Sequence, residues 1–224
     1  MPPSPRPRAI LLVALLALAA CASDSPQERI ALDPTGPKLL IKPFGDLVEQ
    51  WVDAPGALYV KRPRPDLGAY HALRFERPGL FYDRRVTPPL VQDHSMLMRA
   101  LDGAVRQAMA AAVPLPESRD SGSGVLRVST EVSNIEFDRA RATNSRVTSI
   151  IQPGAAATFI IELADDATGT PLVRIAARRP MPGGIYTGPW APDIDRAIQL
   201  FRSFGQDVRL SLVHVVRPVV APED

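Results

Sequence analysis

Val125–Val132 reads VLRVSTEV, and its alternation decides the fold class. Leu126, Val128, Thr130 and Val132 fall on one side. Arg127, Ser129, Glu131 and Ser133 fall on the other. A period of two predicts a strand with one face on a core and one face in water. At Asn134 the phase slips by one residue, and Ile135 and Phe137 carry the apolar side onward, which predicts a β-bulge.

Downstream, Ala156–Ala164 resumes as a strand through Phe159, Ile161 and Leu163, with Ile160 facing the other way. Asp165–Thr170 (DDATGT) has turn chemistry, and Leu172–Arg178 returns as the hairpin partner. Upstream, Ala57–Lys61 (ALYVK) and His71–Arg77 (HALRFER) are strand candidates, and Gly79–Asp83 extends the second after Pro78. Leu90–Ala112 is a helix, because Leu97, Leu101, Ala104, Val105, Ala108, Met109 and Ala112 recur at three and four. Asp93 or Ser95 is its expected N-cap. A second helix follows Asp193, also read as an N-cap, with Ile194, Ala197, Ile198, Phe201, Phe204, Val208 and Leu212 along one stripe. Arg196, Gln199, Arg202, Gln206 and Arg209 are expected on its solvent side. The fold class is therefore α+β: a mixed, mainly antiparallel sheet with two amphipathic helices packed on it, in a single domain.

The chain starts differently. Arg6 and Arg8 precede an apolar run from Ile10 to Ala20, the pattern of a secretory signal. The run is too short to span a bilayer, which takes about 20 residues. It closes on Leu18-Ala19-Ala20-Cys21, which resembles the lipobox of bacterial lipoproteins, and Cys21 is the single cysteine of the chain. That resemblance implies acylation of the Cys21 thiol, cleavage before it, and attachment to a membrane. Residues 1–20 are then a lipoprotein signal peptide. Residues 21–54 are a lipidated N-terminus and Pro-rich tether whose second half packs onto the domain, Leu39–Phe44 as a short strand and Gly45–Val52 as a helical turn. Residues 55–216 are the folded domain, and 217–224 a Pro-containing tail.

Cleavage removes two of the 26 basic residues and none of the 24 acidic ones, so the mature chain carries no net charge. That excludes the basic footprint of a nucleic-acid-binding protein. With its one thiol acylated, the chain gains nothing from disulfides, and stability has to come from a hydrophobic core. The 24 prolines point to many interrupted loops.

Catalytic and metal motifs do not emerge. His71, His94 and His214 are far apart in sequence, without zinc-ligand spacing. His94, near a helix start, is expected to be exposed. Ser121-Gly122-Ser123-Gly124 precedes a strand, whereas a nucleophile elbow follows one. Asp165 and Asp166 are adjacent carboxylates expected to be solvated in a turn. No enzyme, cofactor or metal is expected. Two loop-borne groups of cations, Arg139, Arg141 and Arg146, and Arg178 with Arg179, are candidate contacts for lipid phosphates or wall carboxylates. Each basic residue near an anionic membrane contributes about 1 kcal/mol. The alternative for them is ordinary solvated loop charge.

The order of elements, with Ala57-Leu58-Tyr59-Val60, Tyr70–Arg77, Gly124–Val132, Asp166-Ala167-Thr168-Gly169 and Trp190 ahead of the closing helix, resembles the bacterial lipoprotein family called domain of unknown function 3313. The resemblance covers about Ala57 to Leu212 and implies no activity. Two functions stay open. One is a non-enzymatic envelope lipoprotein that binds a protein or cell-wall component. The other is a periplasmic small-molecule or lipid-binding module. The expected location is the periplasmic leaflet of the outer membrane, because Ala22 and not aspartate follows Cys21.

Overall fold

The computed structural model describes residues 30–32, 35–50, 56–82, 90–135, 149–150, 156–180, 185–186 and 192–216. Three α-helices are described: α1 (Lys38–Ile41), α2 (Val91–Ala112) and α3 (Pro192–Val216). The strands are β1 (Leu47–Gln50), β2 (Ala57–Lys61), β3 (Ala72–Phe75), β4 (Gly79–Tyr82), β5 (Val125–Ile135), β6 (Ser149–Ile150), β7 (Ala156–Asp165), β8 (Pro171–Pro180) and β9 (Ile185–Tyr186).

Strand β5 organises the sheet. Along one side it pairs antiparallel with β7, from Leu126↔Asp165 to Ser133↔Thr158. Along the other it pairs in parallel with β3 and then β4, two short strands in line. Parallel neighbours cannot be joined by a hairpin, and α2 is the crossover between β4 and β5. The β7–β8 hairpin, β2 and β1 complete the sheet in antiparallel steps, giving the order β1-β2-β8-β7-β5-β3 with β4 also on β5. Strands β6 and β9 form a separate two-stranded ribbon. The architecture is thus α+β, with a mixed and mainly antiparallel sheet.

The expected bulge is present. Leu80 opposes Val132 but Tyr82 opposes Ile135, so β5 carries one extra residue there. Asn134 absorbs it at φ +59°, a left-handed conformation that asparagine tolerates better than most side chains.

One face of the sheet is the core. Leu58, Ile175 and Ile161 line up across β2, β8 and β7, and Val60, Val173, Leu163 and Val128 form the next row. All seven residues of the α2 stripe are buried against this side. In α3, Ala197, Phe201, Phe204, Val208 and Leu212 are buried. Phe159 of β7 stacks on Phe204 at 4.6 Å and meets Phe201 edge-on at 5.9 Å, which fixes α3 over the sheet. The two long helices touch at Gly205, where a Cβ would come within 2.8 Å of the Ala104 carbonyl oxygen.

Several expectations need correction. The second face of β5 is not wet: Ser129 and Ser133 are buried there. Part of its cover is the 38–44 segment, where helix and strand are exchanged relative to expectation. Lys38–Ile41 is helical and Leu47–Gln50 is a strand on β2. The reason is tertiary. The Glu131 carboxylate accepts from the Lys38 and Leu39 amides at 3.0 and 2.6 Å, satisfying a helix start that Pro37 cannot cap with a side chain. Helix α2 begins a turn before its expected caps. Leu90 occupies the N-cap, Asp93 lies in the first turn, and the Ser95 hydroxyl donates to the Val91 carbonyl at 2.8 Å. In α3 the helical backbone starts at Pro192, where a missing amide costs nothing, so Asp193 is inside the helix. Arg196, expected in solvent, is buried, and burial lowers its proton affinity.

Candidate functional site

Two polar constructions stand on this frame. The first crosses the second face of the sheet. Cross-strand register places Tyr59, Arg174, Glu162 and Ser129 in one row over β2, β8, β7 and β5. Arg174 and Glu162 are fully buried. The guanidinium donates to Glu162 Oε2 from Nε at 3.1 Å and from Nη2 at 2.6 Å, and to the Lys42 and Pro43 carbonyls at 2.9 and 3.3 Å. Lys42 Nζ closes on the other Glu162 oxygen at 2.5 Å. Phe44 lies 4.7 Å over the guanidinium. At the end of the row, Ser129 donates to Glu76 at 2.7 Å. The buried pair therefore clasps the Lys38–Phe44 strap down on the sheet, with four of the five guanidinium N–H donors engaged in doing so.

The DDATGT turn is a second clasp, and its carboxylates are not merely solvated. Asp165 accepts from the Thr168 amide and hydroxyl at 2.8 and 2.9 Å and from the Tyr70 hydroxyl at 3.0 Å. These bonds hold its acid below the usual carboxylate range. Burial, then the Asp165 hydrogen bond, pushes the Tyr70 phenol up to about 12. Asp166 accepts from Arg74 at 2.5 and 3.1 Å and from the Gly122 amide at 2.9 Å. Arg74, more than any other neighbour, keeps its acid low. The turn is thereby fastened to β3 and to the loop before β5.

The second construction is open. A groove of about 560 Å³ lies at the β4 edge, beneath the N-terminal arm. Ile30, Leu32 and Pro37 form its arm side, Leu80 and Phe81 its strand side, and Met98 its helix side. Polar groups enter at Arg77, His94, Ser133 and Asn134, the last two supplied by the bulge. His94 is half-buried, contrary to expectation, because Tyr82 OH sits 3.0 Å from its Nδ1. Burial, then the nearby Arg77 charge, lowers the proton affinity of the ring. Burial also raises the Tyr82 phenol, with Asp93 adding to it. This groove has the size of a small-molecule site and mixed walls.

Of the site residues singled out from sequence, Arg178 and Arg179 are the two that fall among the described residues. Cys21, Arg139, Arg141 and Arg146 lie outside the described residues. Arg178 is exposed near the end of β8. Arg179 is committed to the fold: its Nε donates to Asp207 of α3 at 3.0 Å, and a second guanidinium nitrogen pairs with the same oxygen. That removes it from the free-cation set, because β8 runs on to Pro180 and carries Arg179 over α3. Sequence reading passed over Arg174, Glu162, Arg77 and the Tyr82–His94 pair. A signal existed for the first two, each a lone charge inside an apolar strand, LVRIA and IIELA.

No family model matches the chain, and no curated protein matches it. Among solved structures, it is similar to the PelC dodecamer from Paraburkholderia phytofirmans, at 10% identity and a TM-score of 0.35 over 75% of this chain and 98% of that one. It is also similar to a PDZ domain protein from Parabacteroides distasonis, at 13% identity and a TM-score of 0.39 over 79% of this chain and 38% of that one. Likeness at this level carries no inference about function.

Proposed function

We propose that this chain is a lipid-anchored, non-enzymatic binding protein of the bacterial cell envelope, related to the family called domain of unknown function 3313. It binds a protein or cell-wall component from the periplasmic leaflet of the outer membrane. One observation carries the reading: the chain that leaves the Cys21 anchor is clasped onto the sheet at Lys38–Phe44 by Arg174, Glu162 and Glu131. The charged groups of this face are used to hang the domain on its tether. That is the arrangement expected of an anchored adaptor. Among the described residues no helix is long and apolar enough to cross a membrane, in keeping with attachment by lipid. Ala22, and not aspartate, after the cysteine supports export to the outer membrane. The groove favours a second reading, a small-molecule or lipid-binding module.

Labelled palmitate supplied to the native host tests the anchor. Incorporation is expected in wild type and abolished by Cys21→Ser. Label retained in Cys21→Ser refutes lipidation at this residue, and cofractionation with inner-membrane markers refutes the outer-membrane assignment alone. Crosslinking in intact cells, followed by capture of the chain, reads the partner.

A further inference from the structure

The groove has a lopsided chemistry. Among the described residues, Arg77 is its single charged lining residue and no carboxylate lines it. Among the described residues Arg77 has no ion-pair partner, and its exposed guanidinium stands at the rim. It acts on its surroundings all the same, since it helps keep the His94 ring neutral. An unmatched cation at the mouth of a partly apolar cleft concentrates anions, and guanidinium pairs well with carboxylate and phosphate. The remaining walls are of another kind. Ile30, Leu32, Leu80, Phe81 and Met98 give an aliphatic and thioether lining that adapts to a flexible chain. Ser133 of the wall is 3% exposed, and among the described residues its hydroxyl has no hydrogen-bond partner. A native fold leaves few such groups without a reason.

We propose that the groove holds a single-chain anionic amphiphile, its acid head at Arg77 and its aliphatic body along Leu80, Phe81 and Met98. This rests on the second reading above, the small-molecule or lipid-binding module, and names its ligand class. The volume, about 560 Å³, lies within the range of small-molecule sites and is too small for a folded partner. The arm that forms one wall leads back toward the anchor, so the groove is held near a membrane where such molecules are abundant.

The test uses the full-length protein in phosphatidylcholine nanodiscs, with protein-free nanodiscs subtracted, and isothermal titration calorimetry with four eight-carbon probes. Octanoate and octyl phosphate present the two acid heads, 1-octanol has no charge, and octyltrimethylammonium has the opposite one. Saturable binding of at least one acid is expected, about tenfold tighter than octanol, the size of a lost charge-assisted hydrogen bond. Preference between the two acids separates a fatty-acid source from a phospholipid one. Arg77→Gln should bring the acids down to the octanol level, and Met98→Trp should block every probe. If Met98→Trp lowers the melting temperature, Leu32→Trp closes the groove from the arm instead. No saturable binding in wild type, equal binding of octanol, or an acid preference that survives Arg77→Gln overturns the proposal. Any of these results leaves the palmitate and crosslinking outcomes standing, so the two readings fail separately.

Discussion

Replacing Arg174 by alanine should cost the domain about 3–5 kcal/mol, the range for breaking a buried ion pair on one side only. The structure says why the upper range applies. Glu162 is 1% exposed and, among the described residues, would be left with Lys42 as its one cationic partner. The Lys42 and Pro43 carbonyls would lose their donors at the same time, loosening the strap. Against a typical total of about 5–15 kcal/mol, that loss is large enough to leave a partly unfolded population. Removing both charges is different. Arg174→Met with Glu162→Met leaves no fully buried charge unpaired, because Lys42, freed from Glu162, is 35% exposed and can turn to water, so its cost should fall below that of Arg174→Ala despite the missing strap contacts. Urea unfolding of the lipid-free mature chain, followed by circular dichroism at neutral pH, reads both. A cost under about 1 kcal/mol for Arg174→Ala is the value of an exposed pair and would refute the argument that the pair is buried and structural. A double variant worse than the single one would refute the explanation by stranded charge.

Glycines on the two long helices should respond in opposite directions. Gly205→Ala sets a methyl against the Ala104 carbonyl and should destabilise by about 1–3 kcal/mol, whereas Gly103→Ala meets nothing within 4 Å and should stabilise by about 0.5–1 kcal/mol. Equal shifts in thermal midpoint would mean that the helices do not approach closely at Gly205. For His94, burial and Arg77 lower the folded pKa below its ordinary value of 6.5, so the unfolded chain takes up the proton more readily. Its contribution to stability is complete above that ordinary value and falls away as pH drops from there through the folded value. His94→Gln should flatten this slope between pH 7.5 and 5, and an unchanged slope in melting temperature would refute the assignment.

Local pattern was enough for much of the fold. Alternation in Val125–Val132, the slip at Asn134, the DDATGT turn and the α2 stripe were legible because each depends on periodicity or turn chemistry within a few residues. The groove and the clasps were not legible in the same way. Arg174 reaches Glu162 only because β7 and β8 pair in one register, and both reach Lys42 across 120 or more residues of chain. The exchange of helix and strand around Lys38–Gln50 has the same origin, since Glu131 and the β2 edge override weak local preference. From sequence His94 reads as exposed and Arg77 as the end of a strand, and the crossover through α2 brings both to the lining of one groove. Sequence by itself determined which segments are strands and helices on the core side. Tertiary structure alone decided which charges are buried and what the second face of the sheet holds. Hydrophobic periodicity is written along the chain, but the pairing of a charge is set by whatever distant segment the fold brings over it.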